Sequence, residues 1–78
     1  MNIIEQKVNT RLLEIWIAEN GDFKARLRLC SEADVSLSTL NRILKGYVPK
    51  FGIRHRLCKA MGTTEEELFP GVQQQDAS

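Results

Sequence analysis

The sequence predicts an all-α fold, a compact five-helix bundle. Apolar residues recur at three- and four-residue spacing in successive stretches, the period of a helix buried on one side. Glycines and cap-forming Asp, Ser and Thr residues punctuate those stretches. No segment carries a confident strand signal, and there is no internal repeat or linker. A length of 78 residues fits one domain, near the lower size at which a single core suffices.

The first helix is expected over roughly residues 3–19, where Ile4, Val8, Leu12, Ile15 and Trp16 form one stripe. Asn20-Gly21 stops it, and Asp22 is expected to cap the second helix with its carboxylate. That helix runs about 23–32, with Phe23, Leu27, Leu29, Cys30 and Ala33 inward. Asp34 follows, a residue that tolerates a positive-φ turn. Ser36 then caps a third helix, about 37–45, with Leu40, Ile43 and Leu44 apolar and Gly46 ending it. Val48-Pro49 bars continuation. A fourth helix, about 51–61, buries some of Phe51, Ile53, Leu57, Cys58 and Met61 and stops at Gly62. Thr64 to Glu67 reads as a capping box opening a short fifth helix that Pro70 ends, with Leu68 and Phe69 packing back on the core. Residues 71–78 are polar and aperiodic, a flexible tail.

The net charge of +1 conceals a segregation. Residues 24–59 carry nine Lys and Arg against Glu32 and Asp34, a net of +7. The flanks are acidic, −2 over residues 1–23 and −4 over residues 60–78. Such a basic middle favours polyanionic partners, although solvated helix faces explain the same charges equally well. No apolar run exceeds four residues, so no membrane span is expected, and no signal peptide is read at the N-terminus. Cys30 and Cys58 make no disulfide framework, which suits a reduced, cytoplasmic chain. Those two cysteines, 28 positions apart, and the single His55 lack zinc-ligand spacing, so no metal is expected. There is no phosphate-cradling glycine loop, nucleophile elbow or His-carboxylate pairing; no cofactor and no enzymatic activity are expected.

The junction between the second and third helices is the informative one. Only Asp34, Val35 and Ser36 separate them, and Val35 is expected to be buried between two helices that cross steeply, a helix-turn-helix. Leu29, Cys30, Ala33, Val35, Ser36, Ser38, Thr39, Leu40, Arg42, Ile43 and Gly46 follow a known pattern. In it, the chain from Leu29 to Phe69 resembles the lambda repressor-like, Cro/XRE-type helix-turn-helix family. Pro49, the run Leu57 to Gly62 and the run Glu66 to Phe69 fit the family's fourth and fifth helices in register. Asp34 stands where the family usually has Gly, Cys30 where it has Ala, and Arg26 where Gln often opens the second helix. Arg54 and His55 stand where many relatives carry Leu.

The resemblance implies a single DNA-binding domain over residues 1–70 that reads double-stranded DNA with the third helix. By position, Ser36, Leu37, Ser38, Asn41, Arg42 and Lys45 would face the groove and Arg26 would meet the backbone. The chemistry agrees: Asn41 can pair with an adenine edge and Arg42 with guanine or a phosphate. Ser36 and Ser38 suit phosphates or base edges. Leu37 suits either a thymine methyl or a staple across the turn. Lys50, and less strongly Arg54, could clamp phosphates. The implied activity is that of a sequence-specific transcriptional regulator, a Cro-like phage or prophage repressor occupying its operator as a homodimer. A chain ending soon after its fifth helix would dimerise through that helix, the tail or the first helix. The same fold also serves as a protein-interaction module, an antitoxin or adaptor, in which an exposed Val72 would matter more than Arg42.

Overall fold

The computed structural model describes residues 7–71. The expected helical start at residue 3, and the expected tail over 72–78 with Val72, lie outside the described residues. Five helices follow in order: α1 (Thr10–Glu19), α2 (Phe23–Ala33), α3 (Leu37–Leu44), α4 (Phe51–Met61) and α5 (Glu65–Leu68). There is no strand among the described residues. The helix α2 is the hub, packing on α1, α3 and α4; α5 closes against α1 and α4. Leu13, Leu29, Leu40, Ile43, Leu57, Leu68 and Phe69 form the sealed centre, each fully buried. Burial on that scale contributes about 1.5–3 kcal/mol per large side chain.

The first helix begins later than the apolar stripe implies. Asn9 caps it, its Oδ1 accepting from the Leu12 amide at 3.1 Å. The Asn9 amide in turn donates to the Leu68 carbonyl at 2.7 Å, and its Nδ2 to the Glu67 carbonyl at 3.3 Å. Tying the chain to α5 sets the start of α1 at Thr10. Leu13 and Ile17 are the buried pair, while Ile15 turns outward, 46% exposed.

The second helix packs in a different phase from the expected one. Ala25, Leu29 and Ala33 face inward, and Phe23 and Leu27 lie exposed. Two alanines at i and i+8 form a low surface that lets three neighbouring helices approach. Cys30 is half-buried at the edge of this face. Nor does the Asp22 carboxylate cap α2. Asp22 has φ +54°, whereas a side-chain cap needs extended backbone. Its amide instead closes α1 on the Ile17 carbonyl at 2.7 Å, and its carboxylate sits 3.7 Å from Arg26 Nε.

From Asp34 onward the expected punctuation appears. Asp34 is left-handed (φ +59°), ending α2, and Ser36 caps α3 by accepting from the Thr39 amide at 3.1 Å. Val35 is half-buried against the core. Gly62 ends α4 in the left-handed region, which costs a glycine no Cβ clash. Of the fourth helix's apolar candidates Leu57, Cys58 and Met61 are buried and Phe51 is exposed. Arg54 is buried, so it does not extend a basic surface. Its guanidinium donates to the Pro49 carbonyl at 2.9 Å and to Glu65 at 3.3 Å. Cys58, nearby, is buried; burial first and Glu65 second push its thiol up to about 11.

The capping box at α5 is complete. The Glu67 amide donates to Thr64 Oγ1 at 3.2 Å, and Glu67 Oε1 accepts from the Thr64 amide at 3.3 Å and from the Thr63 hydroxyl at 2.8 Å. The Thr63 hydroxyl chiefly, then the Thr64 amide and hydroxyl, hold the Glu67 carboxyl below its usual range. A lowered folded-state value stabilises above the unfolded value and is lost as pH falls through the folded one. Glu67→Gln is therefore expected to flatten the acid limb of a thermal-stability profile below about pH 4.5. Thr64→Ala is expected to cost about 1 kcal/mol at neutral pH; an acid limb unchanged in Glu67→Gln would remove the carboxylate from this role.

Candidate nucleic-acid interface

The third helix has one buried and one open side. Leu40 and Ile43 are sealed in the core, with Leu37 and Leu44 half-buried beside them. Ser38, Asn41, Arg42 and Lys45 recur at i, i+3, i+4 and i+7 and are all exposed. The spacing that seats Leu40 and Ile43 thus turns four polar side chains outward as one stripe. Ser36 lies exposed at the amino end, its hydroxyl already engaged with Thr39. Leu37 is half-buried, packed against the core.

Two of the outward side chains are held by neighbours that the spacing did not disclose. Arg26 Nη1, from α2, donates to Asn41 Oδ1 at 3.2 Å. Arg42 lies over the Tyr47 ring, its guanidinium carbon 4.6 Å from the centroid. That cation–π contact orients the guanidinium for about 0.5–1 kcal/mol while leaving its edge open. Tyr47 is fixed in turn by its amide, which donates to the Arg42 carbonyl at 3.0 Å. An aromatic just after a helix-ending glycine is the only sequence cue for this.

A cleft of about 390 Å³ opens where α1, α2 and α3 meet, lined by Glu14, Arg26, Asn41, Leu44 and Lys45. Glu14 places an acid among the cations, and nothing in the sequence pattern singled it out. Lys50 is exposed at the head of α4, whose first turn has no side-chain cap. Its open amides and the helix dipole favour an anion there.

The basic middle of the chain does not gather on one surface. Arg28, Arg56 and Lys59 line a separate groove of about 440 Å³ between α2 and α4, with Glu32 and Ala60. Two of these cations have structural partners. Arg28 pairs with Glu32 at 2.7 Å, and Arg56 Nε donates to the Ala33 carbonyl at 3.0 Å, capping the end of α2. Arg26, Asn41 and Lys45 come together in the α1–α2–α3 cleft; Arg42 lies on Tyr47, Ser36, Ser38 and Lys50 are exposed near helix starts, and Arg54 is withdrawn into the core. Among the described residues no group of three or more His, Cys, Asp or Glu could hold a metal ion, and no helix is long and apolar enough to cross a membrane. Comparison with protein-family models, with curated proteins and with solved structures finds no match for this chain.

Proposed function

We propose that this chain is a sequence-specific double-stranded-DNA-binding regulator of transcription, of the lambda repressor-like helix-turn-helix type, acting in the cytoplasm by operator occupancy. One observation carries the reading: α3, with Lys45 at its C-cap, exposes Ser38, Asn41, Arg42 and Lys45 as a stripe while burying Leu40 and Ile43. A helix presented this way suits the major groove, where Asn and Arg read adenine and guanine edges. The left-handed Asp34 and the Ser36 cap support a tight turn between α2 and α3. Arg26, Lys45 and Lys50 supply phosphate contacts. One such domain makes few base contacts, so the operator is bound as a homodimer with half-site centres about 34 Å apart. The role is binding, without a cofactor.

Selection from random duplex DNA, with the footprint length measured, tests this reading. A pseudo-palindromic consensus is expected, with affinity falling on a log–log salt plot by about 0.9 per phosphate neutralised. Glu14→Gln is expected to strengthen binding to every duplex by roughly two- to fivefold at low salt, by removing an acid from the cleft beside Lys45. Unchanged affinity in that variant would place the cleft away from the DNA.

A second reading has its own observation. Ile15, Phe23 and Leu27 are large, apolar and exposed on α1 and α2, at 46, 58 and 47%. They fit a helical protein-interaction module, an antitoxin or adaptor. Binding through such a surface is nearly insensitive to salt, which separates the two readings.

A further inference from the structure

We propose that Arg26 is a specificity-positioning residue: by holding Oδ1 of Asn41, it fixes which end of that carboxamide meets a base. The inference rests on the DNA-binding reading and adds a role for Arg26 beyond a backbone contact. An exposed asparagine turns freely about its terminal torsion, and its oxygen and nitrogen ends are nearly alike in shape. Left free, Asn41 would present either end. Arginine carries only donors. Its Nη1 lies 3.2 Å from Oδ1 of Asn41, so a reversed amide would set NH₂ against guanidinium N–H and lose the bond. Arg26 Nε is buried, without a hydrogen-bond partner, and lies 3.7 Å from Asp22 Oδ1 one turn earlier. The bond joins α2 to α3 across 15 positions of sequence, and it sits in the cleft beside Lys45.

The consequence is a fixed hydrogen-bonding edge. With one lone pair of Oδ1 taken by Arg26, the second lone pair and the Nδ2 donors remain. Adjacent acceptor and donor match adenine, which offers N6 as donor and N7 as acceptor in the major groove. Guanine offers two acceptors there and cytosine one donor, so neither satisfies both ends. Arg26 therefore makes Asn41 an adenine reader without touching the base.

The test uses the full chain and its own selected duplex, with every single-base-pair variant of one half-site. Asn41→Ala first identifies the base pair that Asn41 reads. A good bidentate contact gives wild type a preference there of roughly 5- to 150-fold. Arg26→Ala, and Arg26→Met, which keeps much of the apolar stem, are each expected to reduce that preference to the level of Asn41→Ala. Preferences at other base pairs should stay intact, and Arg26→Ala combined with Asn41→Ala should discriminate no worse than either alone. A purely structural role would not move the preference at one position selectively. If Arg26→Ala weakens binding equally at all sites, with the adenine preference kept, Arg26 is a phosphate contact only and the inference is overturned. It is also overturned if Asn41→Ala erases no preference. Failure of the wild-type chain to bind any duplex at low salt is a separate result, and overturns the DNA-binding reading itself.

Discussion

Arg54→Ala is expected to lower the free energy of unfolding by about 3 kcal/mol, seen as a fall in the urea midpoint at unchanged slope. Arg54 is 7% exposed. It joins three parts of the fold: the Pro49 carbonyl before α4, α4 itself, and Glu65 at the start of α5. Its guanidinium also lies 5.6 Å from the Phe51 ring. Truncation leaves a carbonyl without its charged donor and a carboxylate, 21% exposed, without its counter-ion. It also opens a cavity where the stem packed. Complete burial of both ions would place the loss at 3–5 kcal/mol; partial hydration of Glu65 brings it toward the lower end. Arg54→Met refills the volume and removes the cost of desolvating a charge, so its loss is expected to be about half as large. A change below about 1 kcal/mol in Arg54→Ala would show that the pair contributes little beyond its own desolvation.

Arg54 also marks where the sequence stops being legible. Its position in α4 falls on the buried phase with Leu57, Cys58 and Met61, yet a basic residue reads as surface unless its partners are known. Those partners, Pro49 and Glu65, are a loop carbonyl and a residue on another helix. The outward turn of Phe23 and Leu27 was hidden for a related reason. In α2 two apolar phases compete, and the choice follows from how closely α1, α3 and α4 approach the small Ala25 and Ala33. Local signals fared better. The Ser36 cap, the left-handed Asp34, the Gly62 stop and the Thr64–Glu67 box depend on neighbours within a few residues, and each stands where the residue types put it. The α3 stripe was legible because its period is local too. The contacts that hold its side chains, Arg26 to Asn41 and Tyr47 to Arg42, come from outside that period.

If α3 reads duplex DNA as proposed, replacing Asn41 and Arg42 together by alanine is expected to abolish most sequence preference while leaving general DNA binding in place. Each bidentate base contact discriminates by about 1–3 kcal/mol. Asn41 is held by Arg26, whereas Arg42 lies on Tyr47, so the two share no side-chain partner and their losses should nearly add. The double variant should therefore lose roughly 30-fold to 10⁴-fold in the ratio of selected to random duplex. Lys45, Lys50 and Arg26 remain to neutralise phosphates, so the salt slope should fall by no more than about one. The fold should change little: both side chains are exposed, alanine suits a helix, and Leu40 and Ile43 keep their burial, so losing the contacts with Tyr47 and Arg26 should move unfolding by no more than about 1 kcal/mol. Competition between selected and random duplex at two salt concentrations, beside a thermal melt, measures all three quantities. A preserved ratio would mean that bases are read from another surface. An equal collapse of specific and general binding would mean that Arg42 holds a phosphate, and that α3 meets the backbone more than the base edges.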